Sequence, residues 1–100
     1  MTVGSMSIAG GGLITGYAVD NTHKETPEQT NVRQTVYIIA DGSLLGSVVA
    51  HEFSAGHAGY DDNHGYSFQL PVSFLDGVTT HVIEAHGYDG KFASRTGVLS

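Results

Sequence analysis

The clearest alternation of apolar and polar positions in the chain is Tyr66-Ser67-Phe68-Gln69-Leu70. Side chains in a strand point alternately to opposite faces, so this stretch predicts a strand with Tyr66, Phe68 and Leu70 on one side and Ser67 and Gln69 on the other. Pro71 has no N–H to give to a sheet ladder and closes it. Phe74 and Leu75 then tuck under a turn at Asp76-Gly77, with at most one helical turn near residues 72–75, and a further strand begins at Thr79.

The remaining segments read in the same way. Ser5 to Ala9 alternates and runs into Gly10-Gly11-Gly12, which predicts a short edge strand and a tight connection. A phosphate-cradling reading of those glycines needs a helix opening on Lys and Ser or Thr, whereas Leu13 to Asp20 has strand composition. Gly16 inside that strand marks close packing or a bulge. Asn21 to Asn31 is polar throughout and predicts a solvated loop. Val32 to Ala40 is the best central strand, with Val32, Val36 and Ile38 towards the core. Asp41-Gly42 then supplies the positive φ angles of a type I′ hairpin turn. Leu44 to Phe53 is the returning strand, Ser54 to Asn63 a second polar loop, and Thr79 to Tyr88 and Phe92 to Leu99 complete the set. Asp76-Gly77 and Asp89-Gly90 are expected to punctuate the chain as Asp41-Gly42 does.

No window carries the apolar spacing of a long amphipathic helix. Seven or eight short strands with turn signals every eight to twelve residues predict an all-β domain, an antiparallel two-sheet β-sandwich of the jelly-roll or immunoglobulin-like kind. Ile14, Val36, Ile38, Phe53, Phe68, Leu70, Leu75 and Ile83 are its expected core.

Composition sets the limits of this picture. One hundred residues make a single domain, because a chain of that size buries roughly two-thirds of its unfolded surface around one core. Ten acidic against four basic residues give a formal charge of −6, which repels a phosphate backbone and argues against nucleic acid and anionic membrane as partners. The absence of cysteine removes disulfides, thiolate metal sites and cysteine nucleophiles. Residues 1–5 have the look of a leader or tag remnant.

Candidate chemistry is sparse. His51-Glu52-Phe53-Ser54-Ala55 fails as a zincin motif, since Ala55 stands where the second histidine belongs. Ser54 near His57 is the one local serine–histidine pair, without a nucleophile elbow around it. Asp61, Asp62 and Asn63 group oxygen donors that suit calcium, which needs six to eight, although Asp and Asn are also what turns prefer. Of the six histidines, only His57 and His64 lie close enough in sequence to meet locally. Tyrosines offer a better opening, because an aromatic ring stacks on a sugar while the hydroxyl bonds to it. Tyr17, Tyr37, Tyr60 and Tyr88 are the candidates, with Tyr60 beside Asp61 and Asp62 expected to be exposed.

Gly16-Tyr17-Ala18-Val19-Asp20, Val36-Tyr37-Ile38 leading to Asp41-Gly42, His64-Gly65-Tyr66-Ser67-Phe68-Gln69-Leu70-Pro71, Leu75-Asp76-Gly77 and His81-Val82-Ile83 resemble a small bacterial all-β accessory module. Such modules are attached to carbohydrate-active enzymes, glycosyltransferases and surface proteins. Tyr17 stands where that family has tryptophan, and the segment 54–63 lacks its arginine-proline-aspartate run. The resemblance implies a non-catalytic accessory domain in an extracellular or cell-surface setting and supplies no catalytic residue. Together these readings predict a glycan-binding module of a larger bacterial or phage-associated protein, with Tyr60, Asp61, Asp62, His64, Tyr37 and Tyr88 as ligand contacts. Calcium on Asp61, Asp62 and Asn63 is the one cofactor envisaged. The alternative is a spacer or homo-oligomerisation module with no small ligand.

Overall fold

The structure is a computed structural model that describes residues 1–20, 33–55 and 63–100. Among the described residues the strands are β1 (Thr2–Gly4), β2 (Ser7–Ile8), β3 (Leu13–Asp20), β4 (Thr35–Ala40), β5 (Ser43–Val49), β6 (Gly65–Gln69), β7 (Thr80–Gly87) and β8 (Gly90–Val98), with one 3-10 turn at Val72–Phe74. They form two antiparallel sheets. In the first, β3 pairs with β1 and β2 on one edge and with β6 on the other; the second has the order β5-β4-β7-β8. The chain passes between sheets after β3, after β5 and after β6, the crossing pattern of an immunoglobulin-like sandwich.

β1 and β2 are one edge strand with a break in it. Thr2 pairs with Asp20 and Ile8 with Ile14 in an unshifted register, and Ser5-Met6 lies between them. The break is possible because two glycines face it. A Cβ on Gly4 would stand 2.0 Å from the Tyr17 carbonyl oxygen, and one on Gly16 2.0 Å from the Ser5 carbonyl oxygen. The expected edge strand over Ser5–Ala9 is therefore shorter, and Thr2–Gly4 joins the sheet as well.

Alternation fills the core as expected for strands with one face in water. Val36, Ile38 and Ala40 of β4 are buried while Tyr37 between them is exposed; Ile83 and Ala85 of the neighbouring β7 extend the same cluster, and Ile14, Tyr66 and Leu70 close it from the first sheet's side. Burying one side chain such as Ile38 contributes about 1.5–3 kcal/mol. Tyr66 also meets Phe92 edge to face, ring centroids 6.3 Å apart, across the two sheets. Phe68 and Leu75 pack against this cluster from its margin.

Three expectations need correction. Phe53 is 75% exposed and outside the core, because the returning strand stops at Val49. Only the first Asp-Gly pair makes the left-handed two-residue turn, with φ of 51° at Asp41 and 83° at Gly42. At the β7–β8 hairpin Gly87 pairs with Gly90, so Tyr88-Asp89 form the turn, and Asp76 instead accepts the N–H groups of Val78 and Thr79. Val32, expected at the start of β4, lies outside the described residues.

Candidate binding cleft

After β5 the chain leaves the second sheet. Ala50 still donates to the Gln34 carbonyl, and Glu52 then forms a bridge with Gly65 at the start of β6, their backbones exchanging two hydrogen bonds of 2.8 and 2.7 Å. Gly65 permits this approach, since a Cβ there would come within 2.9 Å of the Glu52 carbonyl oxygen and 3.0 Å of Ser54 Cβ. The crossing lays residues 52–55 over the outer side of the first sheet and turns Phe53 to solvent.

Between this segment and β3 lies an open cleft of about 400 Å³. Gly16 and Gly65 leave room at its base, Thr15 and Tyr17 line it from β3, and Glu52, Phe53 and Ser54 line it from the crossing segment. Glu52 is fixed in place: both its carboxylate oxygens accept from Ser67 Oγ, at 3.1 and 2.8 Å. The cleft thus combines a half-buried phenol, an exposed phenyl ring, an oriented carboxylate and hydroxyl groups. Beneath it Tyr66 donates its hydroxyl to the Ser5 carbonyl at 2.7 Å, and burial pushes that phenol well above the ordinary tyrosine range.

Of the residues expected to bind ligand, His64, Tyr37 and Tyr88 are described and stand at separate places. Tyr60, Asp61 and Asp62 lie outside the described residues, as does His57. Asn63 is exposed. His64 is 1% exposed; its Nε2 lies 3.2 Å from Arg33 Nη1 and its carbonyl accepts from the Ala18 N–H, so its ring is part of the interior. Tyr37 stands on the outer face of the second sheet, opposite Ser47 and His86. Tyr88 is exposed at the β7–β8 turn, where its hydroxyl donates to Asp20 Oδ2 at 2.9 Å. Asp20 and Asp89 raise the Tyr88 phenol, the hydrogen bond to Asp20 first.

Among the described residues two acid–histidine pairs occur, both on the second sheet. Asp41 Oδ2 lies 2.7 Å from His81 Nδ1, and Asp41 Oδ1 accepts the Val82 N–H at 2.8 Å. The His81 bond, followed by the Val82 N–H, holds the Asp41 carboxyl below its ordinary range. His81 packs against Phe74 edge-on at 4.8 Å, and Thr79, two residues before it, bonds to Asp76. The pair fastens the β4–β5 turn to β7. Glu84 lies 2.8 Å from His86 Nε2 and 3.8 Å from Lys91 Nζ on the outer face, and its carboxyl is lowered mainly by His86. Among the described residues no three His, Asp or Glu side chains converge in a metal-holding group.

Glu52, Phe53 and Ser54 carry no local binding signal in the sequence: their placement follows from the end of β5 at Val49 and the bridge from Glu52 to Gly65. No known family model, curated protein or solved structure matches this chain.

Proposed function

We propose that this domain is a non-catalytic recognition module that binds glycan in the cleft between β3 and residues 52–55. The observation that carries the reading is the pairing of an exposed Phe53 with an oriented Glu52 over a base of glycines. A sugar presents an apolar face and a ring of hydroxyls. Phe53 and Tyr17 offer rings for the first, while Glu52, Thr15 and Ser54 offer oxygen partners for the second. A cleft of about 400 Å³ lies within the roughly 300–1,000 Å³ span of small-ligand sites. Among the described residues lining this cleft Glu52 is the acidic one, whereas a glycosidase needs two carboxylates flanking the scissile bond. Attachment to a larger surface or secreted protein accords with the accessory-module resemblance, and calcium on Asp61, Asp62 and Asn63 belongs to the same proposal.

The test is a glycan-array screen of the domain, repeated with calcium and with chelator, using Phe53→Ala and Glu52→Gln variants. Binding that both variants lose supports the reading. Absence of binding in every condition, or binding that Phe53→Ala leaves intact, overturns it.

A further inference from the structure

Glu52 is bonded differently from the other described acidic residues. Asp20 takes the Met1 amino group at 2.9 Å, Asp41 takes His81 and the Val82 N–H, and Asp76 takes the N–H groups of Val78 and Thr79. Glu84 lies against His86 and Lys91. Asp89 accepts the Thr2 N–H at 3.0 Å, a stitch between the first strands and the β8 end of the chain that Arg95 repeats on the Ile8 carbonyl, also at 3.0 Å. Each of these five thus meets a backbone N–H, an amino group or a histidine. Among the described residues Glu52 has the Ser67 hydroxyl alone.

This leaves Glu52 with acceptor capacity to spare. An ionised carboxylate offers about four acceptor positions and donates nothing, and the single Ser67 proton, shared between both oxygens, fills about one of them. What completes the group is a donor. Ser67 and the backbone bridge to Gly65 already hold it in place, so little ordering is lost when a donor arrives. Phe53 and Tyr17 line the same cleft, and no Lys, Arg or His is among the described lining residues.

We infer that the cleft selects a sugar carrying a free amino group, a hexosamine over its N-acetylated, hydroxyl-bearing or acidic counterpart. The inference rests on the glycan reading above and names the class of sugar. An ammonium group brings three donors and a positive charge to a carboxylate that lacks a cation, and charge-assisted bonds of this kind are about twice as strong as neutral ones. The face of a neighbouring aromatic ring attracts the same charge. Acetylation replaces the ammonium with one amide N–H and a carbonyl. A uronic or sialic acid sets a second carboxylate beside Glu52. The net charge of −6 draws a cationic ligand and repels an acidic one.

The experiment titrates the domain calorimetrically with matched oligosaccharides, in gluco and galacto forms, that carry a free amine, an N-acetyl group or a hydroxyl at C2. Mildly acidic buffer keeps the sugar amine protonated. One amine form is expected to bind about tenfold more tightly than its N-acetyl and hydroxyl counterparts. Glu52→Gln, which keeps an oxygen for Ser67, is expected to abolish that preference. Glu84→Gln removes the same charge from the outer face of the second sheet and is expected to preserve it. A preference that survives Glu52→Gln, or that Glu84→Gln also abolishes, comes from overall charge and overturns the inference. N-acetyl or hydroxyl forms that bind as tightly as the amine, and are lost in Phe53→Ala, overturn it while leaving the glycan reading standing. No binding by any of the sugars overturns both.

Discussion

The Tyr66 hydroxyl donates to the Ser5 carbonyl across 61 residues of chain at 2.7 Å, inside the break between β1 and β2. The break turns this carbonyl out of the ladder to β3, and the phenol takes the place of the missing N–H. Tyr66→Phe keeps the ring against Phe92 and removes only that donor. The expected loss is about 1 kcal/mol, measured as a lower urea midpoint with an unchanged slope.

Gly16 and Gly10 make a contrasting pair. Alanine at Gly16 drives a methyl into the Ser5 carbonyl, whereas at Gly10 nothing lies within 4 Å. Gly16→Ala is expected to cost about 1–3 kcal/mol or more, and Gly10→Ala to stay within about 0.5 kcal/mol of the parent. Equal thermal midpoints for the two variants contradict the close approach of the edge strand.

Acid is expected to loosen the loop before β7. Bonds from the Thr79 hydroxyl and from the N–H groups of Thr79 and Val78 lower the Asp76 carboxyl from 3.8 to about 2. A lowered carboxyl stabilises the fold above its unfolded value, and that contribution disappears as pH falls through its folded value. Asp76's share is therefore complete above about pH 4 and lost on the way down to about pH 2. In Asp76→Asn the acid limb of the stability–pH curve is expected to be shallower in that window, with the titration followed by circular dichroism.

Phe53 and Ile38 separate surface from core. Phe53→Ala is expected to leave stability within about 0.5 kcal/mol, since the ring is 75% exposed. Ile38→Ala empties a fully buried position and is expected to cost about 2–5 kcal/mol. A large loss from Phe53→Ala in denaturant melts contradicts the outward placement.

These contrasts mark what the sequence carried. Alternation in β4 and β6 was legible because each has one wet and one dry face, so Val36, Ile38, Tyr66 and Leu70 sorted themselves. The hairpin at Asp41-Gly42 was legible because its backbone demands those residue types. The exposure of Phe53 is not legible, because it depends on β5 ending at Val49 and on the chain then crossing to Gly65 of the first sheet. The broken edge strand was not legible either, since it depends on Gly4 and Gly16 meeting carbonyls more than ten residues away. The cleft was hidden for the same reason: Glu52 meets Gly65 and Ser67 only through the crossing between sheets. The burial of His64 against Arg33 is not legible in the local sequence, since it follows from a juxtaposition of residues 31 apart.

The stitch between the first and last strands has a consequence for how the chain acquires its fold during synthesis. Thr2 and Ile8 each bond to a side chain 87 residues further on. At about 5–20 residues per second, a ribosome takes roughly 4–17 s to make that stretch. Throughout that interval β1 and β2 lack their lateral fastening, and the seam closes only when Asp89 and Arg95 have been made.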